Sequence, residues 1–149
     1  MSNIIPVITL YQPWASFVIL GWKTIETRLH KRFKSLEGKT IGIHAGKTYG
    51  SNEMCFKYLS PEQNEIAKEG KFPCGVFLGT VHVDSFGKLD DSHSQNSLID
   101  CGNYERFGLF LSQIKEYPNK YVTGSMGIWY FDLDAMMKVK KTKAQLSLY

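Results

Sequence analysis

No apolar run in this sequence approaches the length needed to span a membrane. The opening MSNIIPVITL lacks a basic region, a long apolar core and a cleavage site, so no signal peptide and no membrane association are expected. Cysteine is scarce and odd in number: Cys55, Cys74 and Cys101 form no CxxC, and no histidine stands at ligand spacing from any of them. A disulfide framework and a zinc site are therefore not expected. The thiols read as buried and inert, in a reducing cytoplasm. The common catalytic signatures are missing as well: no phosphate-binding GxxxxGK[ST], no GxSxG, no HExxH and no dinucleotide fingerprint. Nothing points to a cysteine–histidine nucleophile pair, and neither a metal nor a cofactor is expected.

What is present describes a globular chain. Its 149 residues are 43% hydrophobic and 13% aromatic, which suits one domain with a sizeable core and argues against disorder. Aromatics together with 13 glycines favour strands and turns over a helical bundle. The net charge of +4 is unevenly placed. Residues 1–50 carry +5, residues 51–133 carry −4 and residues 134–149 carry +3. A basic first third and a basic tail around an acidic middle suggest one basic face and an anionic partner. Lys31, Arg32, Lys34 and Lys39 read equally well as a solvated loop.

The stretch Tyr11 to Arg28, YQPWASFVILGWKTIETR, organises the rest. Pro13 suits the first turn of a helix. Ala15 to Leu20 carries no charge, so this short helix is expected to be packed on most sides. Gly21 reads as the residue past its end, where a positive φ is wanted. Beyond it, a strand period of two places Thr24, Glu26 and Arg28 on one face. Lys23 stands at the junction. A lysine, a glutamate and an arginine are thus gathered beside a hydrophobic helix, as a structural ion-pair network or as a site.

Along the chain, strands are expected at Val7–Tyr11, Thr24–Arg28, Lys39–Ala45, within 72–86, at Phe107–Tyr117 and at Ile128–Leu133. Leu29–Gly38 reads as a basic loop, and Gly46–Gly50 as a turn. A helix is expected at Ser51–Tyr58. A second begins at Ser60, where Ser60, Pro61 and Gln63 make a capping box. Gly42 and His44 share a face on the third strand. The glycine there signals close approach of a backbone or a ligand, and His44 reads as a ligand-binding or proton-transfer group or as a satisfied polar-layer histidine. Gly79 marks a bend or bulge. The polar stretch 87–102 reads as a mobile loop. Residues 134–149 read as a basic tail following a single domain at 1–133. These elements add up to an α+β domain: a small, mainly antiparallel, partly closed barrel with a short central helix and peripheral helices.

QPWA at Gln12–Ala15, GWKTIETR at Gly21–Arg28, IHAGK at Ile43–Lys47, GVFLGTVHV at Gly75–Val83 and GSMGIWYF at Gly124–Phe131 resemble, in this order, the ASCH domain, the activating-signal-cointegrator homology family. The resemblance covers about residues 7–132. It implies a PUA-like β-barrel with a cleft beside the first helix and RNA, or in some members DNA, as partner. It carries Lys23, Glu26 and Arg28 into that cleft, with Trp14, Thr24 and His44 as neighbours. Lys23 and Arg28 suit phosphate and Trp14 suits stacking on a base, though Trp14 reads equally as a core aromatic. One branch of the family resembles amidohydrolases that deacetylate N4-acetylcytidine, using a lysine and a threonine three residues later. Here the lysine is kept as Lys23, but Glu26 replaces the threonine. Thr24 is adjacent to Lys23 and wrongly spaced for that role. A general base on Glu26, with Lys23 holding an oxyanion, would then be a different chemistry. Nuclease activity within the family would need a general base such as Glu26 or His44 beside a cationic clamp.

Overall fold

The computed structural model describes residues 3–50 and 57–136. In chain order it contains β1 (Ile4–Gln12), α1 (Trp14–Ile19), β2 (Ile25–Arg28), β3 (Thr40–Tyr49), α2 (Pro61–Lys68), β4 (Val76–Lys88), α3 (Ser94–Ser97), β5 (Phe107–Tyr121) and β6 (Trp129–Asp132). Short 3-10 turns lie at Lys34–Leu36 and Asp91–His93. Most of the helix expected at Ser51–Tyr58, and residues 137–149 of the basic tail, lie outside the described residues. No helix among those described is long and apolar enough to cross a membrane.

The six strands form one sheet in the order β2-β5-β4-β3-β1-β6. β1 and β3 run parallel, and every other neighbouring pair is antiparallel. The expected barrel does not close. Among the described residues, β2 and β6, four residues each, are the two edges and pair only with β5 and β1. β6 covers β1 only from Ile4 to Val7. Among the described residues, the second half of β1 therefore has no ladder on that side.

The nearly continuous apolar stretch Gly75–Val83 becomes β4, in the middle of the sheet and buried over most of its first half. Gly79 sits at the expected irregularity. A Cβ there would lie 2.3 Å from the Lys115 carbonyl oxygen of β5. β5 itself continues past Pro118, where an end was expected. Phe77 pairs with Lys120 and Gly79 with Glu116, so β5 carries two extra residues at this point. Pro118 lies in that bulge, where its missing N–H costs no ladder bond. β3 also outruns expectation, to Tyr49, because its pairing with β1 continues to Gln12.

α1 is buried at every position from Ala15 to Ile19. Ala15, Val18 and Ile19 join Ile8, Ile43, Val81 and Leu109 in the main core, while Phe17 packs outward with Trp22 and Leu98. Pro13 proves to be the N-cap residue, one position earlier than expected, and follows a cis Gln12–Pro13 bond. The capping work falls to Gln12, which is fully buried. Its Oε1 accepts from the Ser16 N–H at 3.0 Å. Its Nε2 donates to Ser16 Oγ at 2.8 Å and to the Pro73 carbonyl at 2.7 Å. Gly21 follows the helix with φ +80°. Ser60 and Gln63 form the expected capping box at α2.

Candidate functional site

The seam between β1 and β2 opens as a cavity of about 310 Å³. Thr9, Leu10 and Tyr11 line it from β1, Glu26, Thr27 and Arg28 from β2, Trp14 from the start of α1, and Ile99 from beyond α3. Lys23 completes it from the turn between α1 and β2.

Lys23 is only 2% exposed. Burying an ammonium costs several kcal/mol unless it is paired and hydrogen-bonded. Here Nζ donates to the Ser97 carbonyl at 2.5 Å, lies 3.8 Å from Glu26 Oε1 and stands over the Trp14 ring at 5.0 Å. Glu26 is also buried, and its Oε2 takes Arg28 Nη2 at 3.0 Å. Arg28 lies with its guanidinium 4.7 Å from the Phe33 ring centre, and its buried Nε has no hydrogen-bond partner among the described residues. One carboxylate between two cations leaves the group with a net positive charge, one cation of which, Arg28, remains about a quarter exposed at its side chain. Such a group suits an electron-rich or anionic ligand.

A second lobe of about 800 Å³ adjoins the first. Thr9, Tyr11 and Arg28 line both. The second lobe is walled by Lys47 of β3, by Tyr121 at the end of β5 and by the strap 122–127 that leads to β6. His44 lies at its floor and is absent from the lining of the first lobe. Its Nε2 is 2.6 Å from the Val122 carbonyl, which only accepts, so this nitrogen carries the proton. Its Nδ1 then accepts from the Thr9 hydroxyl at 3.1 Å, and Thr9 Oγ1 in turn accepts from Trp129 Nε1–H at 3.0 Å. Burial lowers the His44 pKa from the ordinary 6.5, partly opposed by the bond to Val122. Both ring nitrogens are engaged, so His44 holds the strap in place and offers the cavity no free nitrogen.

The sequence matches no known family model. The structure is similar to the crystal structure of ASCH from Zymomonas mobilis, with a TM-score of 0.57 at 11% identity over 91% of this chain and 93% of that one. A serine-to-alanine variant of the same protein gives 0.56 at 12% identity, covering 92% and 94%. A tyrosine-to-phenylalanine variant gives 0.52 at 10%, covering 91% and 96%. This chain has the ASCH fold.

Of the residues expected in the ASCH cleft, Trp14, Lys23, Glu26 and Arg28 meet in the first lobe. Thr24 does not line either lobe. β2 begins at Ile25, and the backbone of Thr24 is instead tied to Asn96 and Leu111. Gly42 makes room not for a ligand but for Phe77, whose ring would lie 2.6 Å from an added Cβ. The basic loop after β2 lines neither lobe; Lys31 lies 5.3 Å from the Phe107 ring centre and Glu37 accepts from the Phe86 N–H. The stretch read as a mobile loop forms the second 3-10 turn and α3, and it supplies both Ile99 and the Ser97 carbonyl that holds Lys23. Its signal was present in Asp90 and His93, which form a reciprocal cap, and in Leu98 and Ile99 that follow. Tyr11 and Tyr121 were missed because nothing local distinguishes a cleft tyrosine from a surface one.

Proposed function

We propose that this protein binds single-stranded RNA, or a nucleotide-like ligand, by taking one base into the first lobe. The observation that carries the reading is the meeting of Trp14, Lys23, Glu26 and Arg28 around about 310 Å³, the small end of the range for ligand cavities. An aromatic edge, a carboxylate acceptor and a cation suit the face, the Watson–Crick edge and the phosphate of one unstacked nucleotide. The resemblance to the ASCH family led to the same residues. A cytoplasmic site of action belongs to this reading and agrees with the free thiols of Cys74 and Cys101. The test is fluorescence anisotropy of a labelled single-stranded RNA at low salt. Arg28→Ala is expected to weaken binding about tenfold, the value of a lost charge-assisted hydrogen bond. Absence of binding, or unchanged affinity in the variant, would refute the reading.

A second reading follows from Lys23 Nζ and Glu26 Oε1 lying 3.8 Å apart on one wall. Glu26 would take a proton from water as it attacks the acetyl carbonyl of N4-acetylcytidine, with Lys23 facing the oxyanion; Glu26 would then return that proton to N4 as the C–N bond breaks, releasing cytidine and acetate. Conversion by the wild type and none by a folded Glu26→Gln variant is the result this reading requires. Equal conversion by both would remove Glu26 from the chemistry.

A further inference from the structure

We propose that the second lobe is a subsite for the adjoining nucleotide of a single-stranded RNA, so that the cleft is built for a dinucleotide step and not for one nucleoside. The proposal rests on the reading of the first lobe as a base pocket. Continuity is the first argument. Thr9, Tyr11 and Arg28 line both lobes, so a ligand leaving one enters the other across these three side chains.

The second argument is where the charge sits. The phosphodiester joins the two riboses, so with one base in each lobe it passes the junction, and one of the three side chains shared there, Arg28, carries a guanidinium. Arg28 gives Nη2 to Glu26 on the first-lobe side, and the rest of its fork is not consumed by that pair. A small apolar ligand confined to either lobe would have no use for a cation at the boundary. Lys47 supplies another cation within the second lobe itself.

The third argument is the pair of rings. Tyr121 is 82% exposed and Tyr11 60% exposed, both on the second lobe. Large aromatic faces left in water beside cations are what sequence-tolerant binding of a single strand uses. The strap 122–127 also lines the lobe, and its position is set. Gly124 lies so close to His44 that a Cβ would stand 2.6 Å from the imidazole, and His44 is bonded to Val122 in the same strap. The lobe is thus held in shape before any ligand arrives. At about 800 Å³ it has room for a base with its ribose.

Calorimetric titration of the four nucleoside monophosphates and the sixteen ribodinucleotides tests this directly. The best dinucleotide is expected to bind about tenfold more tightly than the best mononucleotide, the gain of one further stacked base. Tyr121→Ala should abolish that gain, and Tyr121→Phe should preserve it. Mononucleotide binding with no dinucleotide gain, or a gain indifferent to Tyr121→Ala, overturns the second subsite alone. Binding of neither class overturns the base pocket, and the second subsite with it.

Discussion

At the scale of residues, the charges of the cleft differ in how far they are buried and already paired. Lys23 contacts Ser97, Glu26 and Trp14 and is almost wholly buried. Arg28 has only part of its guanidinium committed and faces both lobes. His44 illustrates the difference between a residue in a cavity and one that acts there. Its face on β3 was legible from strand alternation, but whether its nitrogens were free depended on Thr9 and Val122, 35 and 78 residues away. The buried neutral ring has a pH consequence. Its folded pKa lies below the ordinary value, so on acidification through about 6.5 the unfolded chain takes up a proton that the folded chain resists. Stability from this group is thus full above that pH and declines below it, until the folded ring itself is protonated. The melting temperature should fall as pH drops from 7.5 to 5, and less steeply in His44→Gln. An equal fall in the variant would assign the effect to other groups.

Among the elements, α1 decides the geometry of the site, since Trp14 starts it and Lys23 follows it. Sequence located this helix and its glycine stop because both depend on local chemistry: an uncharged run, then a residue that tolerates φ +80°. What it could not reveal is that Gln12, and not Pro13, caps the helix. That cap requires the Pro73 carbonyl, 61 residues away, to fix the amide. Gln12→Leu removes three hydrogen bonds from a fully buried position and leaves their partners unpaired. Urea denaturation should show a loss of about 2 kcal/mol with an unchanged m-value. A loss under about 0.5 kcal/mol would mean that packing of α1, and not its cap, sets the turn. The helical segment before Ile99 was misread for a related reason. Its polar composition matches a loop, and only docking against Lys23 and Thr24 selects the ordered form.

Over the whole molecule, the excess of positive charge in residues 1–50 proves to be divided. Lys31, Arg32, Lys34 and Lys39 are exposed outside the cleft, whereas Arg28 and Lys47 line it. The RNA-binding test therefore has a quantitative form. Two phosphate contacts give a slope of about −1.4 for log affinity against log salt, and Arg28→Ala should halve it to about −0.7. A slope several times steeper would mean that the exposed basic loop also carries the strand.

The sequence alone determined the α+β class, the six strands to within a few residues, the short buried helix and the gathering of Lys23, Glu26 and Arg28. Each of these follows from periodicity, turn chemistry or adjacency along a few residues. Only the tertiary structure decided that the sheet stays open, that Thr24 is outside the cleft, that His44 is occupied, and that a second lobe meets the first at Arg28. Those facts depend on which strands leave an edge unpaired and on which distant carbonyl accepts a given proton. Both are set by long-range pairing, such as β1 with β6 and His44 with Val122, that leaves no mark on neighbouring residues.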